Sequence, residues 1–366
     1  MKEECTHNGA DIGDYLKLCA CTAVILQTIL GLALSVHPSN GIQVGIGYLY
    51  NFVKFTAPAF IFGILYTTTR TTVHGSEHLS YKQYLKNSWH NLFVPTIWWT
   101  SVYLFFLPYV QQVNHYHDLP SFIWQFINGN GAPHLWYNTM MLQFIILMPI
   151  FWAIATWCRD NQTRGWIIIG LTVIITACWL WFYDTNVFHG THEKDWYLFD
   201  RLFLSFFIYG VFGTLAWQYR KYFNQMIQKF WWIFLLVFVG SFWWINQELI
   251  SFGTPVLLTN APYYKPSMTI YDLAMIMLIA AIALYQINRQ IKFTARVHQF
   301  AGFAYKAYLS NVLWAQLIWH TFGQSLMKAN TIIGIIVIYI LTWCLAFASA
   351  FGIHFVWQNI KKMLSK

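Results

Sequence analysis

Ten long apolar runs dominate this chain, and each is nearly free of charged residues. An α-helix rises about 1.5 Å per residue, so about 18 to 22 apolar residues cross the roughly 30 Å of hydrocarbon in a bilayer. The sequence therefore predicts an all-α integral membrane protein, a bundle of about ten transmembrane helices that forms a single domain over residues 1–366. The predicted spans are 18–36, 46–67, 91–112, 134–157, 165–183, 201–217, 230–250, 269–287, 300–320 and 331–354.

The scarcity of charge excludes two broad classes of protein. Charged residues make up 10% of the chain and hydrophobic residues 57%, whereas about a quarter of a soluble protein is charged. The net charge of +9 comes from 22 Lys and Arg residues that form no cluster. Basic residues of a membrane protein collect in its cytoplasmic loops, so we expect no nucleic-acid partner.

The distribution of these basic residues predicts the orientation. Sixteen of the 22 lie in tails and loops on one side of the predicted bundle, three lie on the other side, and Lys54, Arg201 and Lys306 fall within spans. By the positive-inside rule, both termini are cytoplasmic, which an even number of spans requires. We predict a multi-pass protein of the cell (plasma) membrane.

Charged side chains inside the hydrocarbon are costly, so each one is a functional candidate. Lys54 lies eight residues inside the outer end of the second span and is followed by Pro58, which bends a helix. We expect Lys54 to face a cavity. Lys306 is either functional or a lysine that extends to the inner surface. Every carboxylate is expected in a tail, a loop or a span end, which argues against an ion-coupled carrier.

Polar residues of the first span and one histidine complete the candidates. Lys17 and Thr28 are eleven residues apart, close to three full helical turns, so they share one face. An alternative is that Lys17 extends to the membrane surface, while Gln27 and Thr28 bond to a neighbouring helix. His134 is either an acid or base near neutral pH or an ordinary residue of the interfacial belt. No residue pattern predicts a metal site.

Four segments carry recognisable patterns: YLKLCACTAVILQT at residues 15–28, KFTAPAF at 54–60, HLWYNTMMLQFIILMPIF at 134–151 and FAYKAYLSNV at 303–312. Together they resemble patterns of the membrane-bound acyltransferase 3 family. The resemblance covers the whole chain. It implies ten core helices with cytoplasmic termini and the O-acylation of surface polysaccharides or other envelope molecules.

The chain also departs from the family patterns. Family members typically carry Arg or Lys, ten further residues and then His in the first helix. Here Lys17 matches the cation, but Thr28 stands at the His position, and Asn311 stands at a late-helix His position. A hydroxyl has no basicity near pH 7, so Thr28 does not replace that histidine. Three options remain: His134 acts as the base, the missing histidine is dispensable, or the chain is not a catalyst.

The resemblance implies transfer of an acetyl- or succinyl-like acyl group from cytoplasmic acyl-CoA to a hydroxyl of a polysaccharide or glycolipid. The catalytic candidates are then His134, Lys17 and Thr28, and the candidates for binding substrate or acyl donor are Lys54, Gln27, Asn311 and Lys306. The partners would be membrane lipid, the acceptor and a possible polysaccharide synthase complex. The alternative function is a non-catalytic polysaccharide exporter or synthase partner on the same fold.

Overall fold

The computed structural model describes residues 9–73, 80–113, 115–159, 161–193 and 195–364. This part of the chain is helical and contains no β-strand, which confirms the predicted all-α class. Fifteen α-helices occur within it, joined by short 3₁₀ and π-helical turns. They are α1 (Ile12–Leu34), α2 (Asn40–Phe52), α3 (Thr56–Val73), α4 (Tyr81–Ser88), α5 (Val94–Phe106), α6 (Leu119–Asn128), α7 (Trp136–Ile146), α8 (Met148–Trp157), α9 (Gln162–Tyr183), α10 (Phe207–Gln218), α11 (Arg220–Ser251), α12 (Pro266–Asn288), α13 (Phe293–Ile318), α14 (Gln324–Ala329) and α15 (Thr331–Leu364).

Helix α1 begins six residues before the predicted first span because two aspartates cap it. The Asp11 carboxylate accepts a hydrogen bond from the backbone N–H of Asp14 at 2.8 Å, and the Asp14 side chain accepts one from the N–H of Asp11. Such reciprocal capping satisfies two backbone donors that a helix start leaves without partners. A polar segment that composition alone places in the tail is therefore the first turn of α1.

Helices differ in how far their apolar surface is buried within the protein. In the most apolar window of each helix, 72% of the α2–α3 residues and 67% of the α12 residues are buried, against 22% in α9 and α11. Helix α1 packs against α3, α12, α13 and α15. Helices α1, α3, α12 and α13 therefore surround the interior, while α9 and α11 present apolar surface outward, as lipid-facing helices do.

Among the described residues, six helical stretches are long and apolar enough to cross a membrane: Ile12–Leu34, Asn40–Thr72, which comprises α2 and α3, Gln162–Phe188, Arg220–Ser251, Pro266–Asn288 and Thr331–Val356. The pair Trp136–Ile146 and Met148–Trp157, bent by 52°, makes a seventh if it forms one span. The number of ten spans remains a prediction, as do the cytoplasmic termini. Lys2, Lys194 and Lys366, which contribute to the predicted orientation, lie outside the described residues.

Two predicted spans have different bounds in the structure. The sixth begins with two 3₁₀ turns at Tyr197–Arg201 and Phe203–Phe206, so that α10 has 12 residues. The third ends at Phe106, six residues earlier than predicted and just before Pro108, although α5 continues without a break from α4 through the π-helical turn Trp89–Phe93. Helix α10 is shorter than the roughly 20 residues that cross a bilayer.

The break between α2 and α3 positions an interior lysine. The chain leaves helical geometry at residues 53–55, and Pro58 is the third residue of α3. Proline is tolerated in the first turn of a helix because the N–H groups there have no intrahelical acceptor. The break exposes the backbone carbonyl of Val53 to a side chain of α1, and Lys54 lies within it.

Candidate functional site

Lys54 is buried without an ion-pair partner among the described residues. Its side chain is 5% exposed, and Nζ donates a hydrogen bond of 3.3 Å to the Tyr50 hydroxyl. Nζ also lies 4.4 Å from the centroid of the Tyr263 ring and 4.8 Å from that of Tyr50. Aromatic faces stabilise an ammonium but do not neutralise it. The lysine therefore provides an uncompensated positive charge inside the bundle, where an anion would be attracted.

Asp272 is a second interior polar group that sequence reasoning missed. Because α12 begins at Pro266, this carboxylate lies inside the helix and not at its start, and its side chain is 0% exposed. The Tyr209 hydroxyl donates to Oδ2 at 3.2 Å, while Oδ1 has no hydrogen-bond partner. Lys54 is close enough to act on Asp272 electrostatically, although the two form no direct ion pair. The interior therefore holds a separated cation and carboxyl group.

His134 is buried in the turn that precedes α7, not at an exposed interface. It is 5% exposed, and its ring packs edge-on against Tyr103 and Tyr308 at centroid distances of 5.2 and 5.1 Å. Nε2 lies 3.3 Å from the carbonyl oxygen of Leu309, whereas Nδ1 has no hydrogen-bond partner. A proton on Nε2 satisfies that carbonyl, so the lone pair of a neutral imidazole is on Nδ1. This lone pair has no competing partner among the described residues.

One turn of α13 connects His134 to the two positions where the family patterns carry histidine. The Tyr308 hydroxyl donates to the carbonyl oxygen of His134, and the Asn311 amide donates to the carbonyl oxygen of Tyr308. The Thr28 hydroxyl lies 3.2 Å from Asn311 Oδ1 and the same distance from the carbonyl oxygen of Val24. The residues that replace the two histidines therefore bond to each other.

The segment that starts α7 connects the His134 and Lys54 regions. Trp136 packs on Tyr263, the residue that covers Lys54, with 5.6 Å between ring centroids. Tyr137 packs against Tyr308 at 5.7 Å, and its buried hydroxyl has no hydrogen-bond partner. Neighbouring residues of one segment thus contact both regions. We call the set of Lys54, His134, Tyr137, Tyr263 and Asp272 the interior cluster.

Gln27 borders the interior cluster. Its side-chain amide donates a hydrogen bond of 2.8 Å to the carbonyl oxygen of Val53. This carbonyl is freed by the break between α2 and α3, and a buried carbonyl without a partner is unfavourable. Gln27 therefore stabilises the conformation that positions Lys54, which agrees with a bond to a neighbouring helix.

Lys17 lies apart from the interior cluster, in a network of ion pairs at the start of α1. Its Nζ is 3.1 Å from Asp14 Oδ1, and the second oxygen of Asp14 is 2.7 Å from His298 Nδ1. Arg70 pairs with Asp11 at 2.7 Å. We call these five residues the terminal network. Lys17 and Thr28 therefore contact different groups, and the structure does not bring Lys17 to His134.

Lys306 is also separate from the interior cluster. It is partly exposed, and its Nζ lies 5.9 Å from the ring centroid of Phe303, a residue one turn earlier on α13. Within the described part of the chain it makes no ion pair. This placement resembles a lysine that runs along an apolar surface toward water.

The described residues contain no group of three or more His, Cys, Asp or Glu side chains that could hold a metal ion.

The interior cluster offers an imidazole, an ammonium, a carboxyl group and a phenol without a hydrogen-bond partner. A base and a cation in one dehydrated region suit a reaction in which a proton is removed and an oxyanion forms.

A comparison with known families identifies the class. The family model of the acyltransferase 3 group, described as an acyltransferase domain, matches residues 13–351. No curated protein and no solved structure matches the chain. The matched range includes every member of the interior cluster and of the terminal network except Asp11.

Proposed function

Since the chain belongs to the acyltransferase 3 family of membrane acyltransferases, we propose that it moves an acyl group from acyl-CoA to a hydroxyl of a cell-surface polysaccharide or glycolipid. The acyl group would be acetyl- or succinyl-like. The protein would lie in the plasma membrane with both termini in the cytoplasm, and a polysaccharide synthase would be a natural partner.

The observation that carries this proposal is that one segment, Trp136–Tyr137, contacts the surroundings of both His134, whose Nδ1 has no hydrogen-bond partner, and Lys54, which makes no ion pair among the described residues. His134 and Lys54 are both 5% exposed, so water competes little for either group. Electrostatic stabilisation is strongest in such a region because the effective dielectric constant is low. Both residues match family motif positions, and His134 offers the basicity that Thr28 lacks.

The chemistry follows from these two groups. His134 Nδ1 accepts the proton of the acceptor hydroxyl while the hydroxyl oxygen attacks the thioester carbonyl carbon. The tetrahedral oxyanion is stabilised by the Lys54 ammonium, with the Tyr137 hydroxyl as a further donor. Collapse of the intermediate breaks the carbon–sulfur bond, and the proton on His134 passes to the departing thiolate. The products are an acyl ester and a free thiol.

The remaining candidates have supporting roles in this proposal. Thr28 and Asn311 bond to each other and to the turn that holds Tyr308, so we assign them to positioning of His134. Gln27 maintains the break that places Lys54. Lys17 would contact the phosphates of the acyl donor at the terminal network, and Lys306 would be a further cation for that donor.

The test uses purified full-length protein in liposomes, with radiolabelled acetyl-CoA and succinyl-CoA supplied together with candidate envelope glycans. We expect label on one glycan, and none when His134→Gln protein is used. If no acceptor is labelled, and if envelope glycans of a strain that lacks the gene keep their normal acylation, the proposal is wrong.

One observation favours the alternative of a non-catalytic exporter or synthase partner. The Thr28 hydroxyl donates a hydrogen bond to Asn311 Oδ1, and the Asn311 amide donates to the Tyr308 carbonyl oxygen, so the family's histidine positions hold no base. Replacement of His134 by alanine separates the two functions. Unchanged acylation together with altered polymer export would support the exporter, whereas lost acylation with normal export supports the enzyme.

A further inference from the structure

A large groove lies between α9, α11 and α12, outside the interior cluster. It has a volume of about 730 Å³, which is within the range of small-molecule sites. Its walls are mainly apolar and include Val173, Ala177, Leu180, Ile270 and Leu273. Because α9 and α11 present apolar surface outward, the groove is open to the surface where lipid would lie.

Polar groups occur at one end of this groove. Lys265 pairs with Glu248, whose Oε2 also accepts a hydrogen bond of 2.7 Å from the Ser267 hydroxyl. Asp184 is 2.9 Å from His189 Nδ1. The groove therefore combines a long apolar wall with a polar rim, an arrangement that fits an amphiphile with a tail and a polar head.

The charged residues of the rim indicate which kind of polar head the groove would accept. The rim contains two carboxylates, Glu248 and Asp184, of which Lys265 pairs with the first and His189 with the second. Among the described residues no rim cation is left without a carboxylate partner, so the rim offers little attraction to the anionic head of a phospholipid. Sugar hydroxyls, in contrast, donate hydrogen bonds to carboxylates. Trp181, which is 71% exposed, adds an apolar ring face on which a sugar can lie.

A short segment joins this rim to the interior cluster. Lys265 is a rim residue, and Tyr263, two residues earlier, covers Lys54 at 4.4 Å. Tyr264, between them, packs on Tyr183 with ring centroids 4.7 Å apart. Burial lowers the pKa of Lys265, Glu248 acts in the opposite direction, and Lys54 contributes to the lowering. A head group at the rim would therefore lie next to the segment that covers the interior lysine.

We propose that the groove binds the lipid anchor of an uncharged glycolipid, whose sugar head lies at the Lys265 end. Its role as the acyl acceptor rests on the proposed function. The apolar wall holds the hydrocarbon tail, the carboxylates and Trp181 hold the sugar, and the segment Tyr263–Lys265 connects this sugar to the transfer site.

The test measures photocrosslinking to full-length protein in liposomes. One probe is a glucosyl diacylglycerol with a diazirine in an acyl chain, and the other is phosphatidylglycerol with the same label. Ala177→Trp fills the groove, and Cys178→Trp is the matched control because Cys178 is exposed on the next residue of α9 but does not line the groove. A second blocking variant, Ile270→Trp, acts from the opposite wall. Folding is checked by melting temperature.

We expect the glycolipid probe to label peptides of α9 and α12, and either blocking variant to lower this labelling about tenfold, equivalent to about 1.4 kcal/mol of binding free energy. The control should label like the wild type. Equal labelling by both probes would overturn the proposal because the groove would then hold ordinary bilayer lipid. Labelling that both blocking variants leave unchanged would also overturn it, because the probe would then lie outside the groove.

The acceptor role is tested separately from the proposed function. If the groove binds the acceptor, Ala177→Trp abolishes acyl transfer to the glucosyl lipid but not to a short soluble glycan. Transfer to the lipid at the wild-type rate would refute the acceptor role and leave the proposed function intact. Labelling of the groove without transfer to any acceptor would refute the proposed function and leave the glycolipid site intact.

Discussion

The interior cluster and the terminal network both contain a lysine at a family motif position, but the surroundings of the two lysines differ. Lys54 is 5% exposed and makes no ion pair among the described residues. The Lys17 side chain is 22% exposed and pairs with Asp14 at 3.1 Å. One positive charge is therefore uncompensated and dehydrated, whereas the other is neutralised and partly solvated.

This difference predicts different roles for the two regions. An uncompensated ammonium in a region of low dielectric constant acts strongly on an oxyanion that forms beside it. A lysine that already pairs with a carboxylate in partial contact with water contributes little to a transition state. We therefore assign the chemical step to the interior cluster and donor attraction to the terminal network.

The largest effect is expected from His134→Gln. Glutamine keeps a side-chain N–H that can bond to the Leu309 carbonyl but provides no basic lone pair, so acyl transfer should fall about 10²- to 10⁴-fold. The measurement is the single-turnover rate of transfer to glycan. His320→Gln, a change at an exposed histidine, is the control and should transfer at the wild-type rate. A His134→Gln protein with normal transfer would remove His134 from the mechanism.

Lys54→Met should have the next largest effect. Loss of the ammonium should lower kcat about 10²- to 10³-fold, as loss of one oxyanion donor does. The melting temperature should stay the same or rise, because a buried charge without an ion pair is costly. Lys328→Met, at an exposed position, is the control. A lower melting temperature with normal kcat would show that Lys54 is structural.

Lys17→Met should have a smaller effect of another kind. We expect KM for acyl-CoA to rise up to about tenfold with kcat nearly unchanged, and stability to fall by about 1 kcal/mol or less, as for partly exposed ion pairs. Steady-state kinetics and thermal melting measure the two quantities. A large fall in kcat would place Lys17 in the chemical step and contradict the assignment of the two regions.

Asp200 tests a third combination, a partly buried carboxylate that pairs with the buried Arg201. Its Oδ1 accepts from Arg201 Nε at 3.2 Å, yet burial raises the pKa of Asp200 from 3.8 to about 6, with Arg201 opposing the shift. The folded chain then binds more protons than the unfolded chain between about pH 4 and 6, so stability falls as pH rises through this window and levels off above it. Melting temperatures across this range should show that the fall is absent in Asp200→Asn. An identical pH profile for the two proteins would refute the shift.

The sequence predicted the all-helical class and the family, because apolar runs and short motifs are local properties. It also indicated Lys54 as a candidate functional residue, since a lysine deep in an apolar run and four residues before a proline, Pro58, is unusual. The family resemblance is confirmed over residues 13–351. The placement of Lys54 in the interior was predictable for the same local reason.

The contacts between distant residues could not be predicted. Asp272 was placed at a span end because polar residues blur where α12 starts, and its partner Tyr209 is 63 residues away. The bond between Thr28 and Asn311 joins residues 283 positions apart. Composition also does not reveal where a long apolar run is divided by 3₁₀ turns, as it is before α10.

The central claim is that the chemical step belongs to the interior cluster and not to the terminal network. The most direct test is the single-turnover rate of acyl transfer at saturating acyl-CoA for wild type, Lys54→Met and Lys17→Met in the same liposomes. We predict a fall of at least about tenfold more for Lys54→Met than for Lys17→Met. An equal fall in the two variants, or a larger one for Lys17→Met, would contradict the claim.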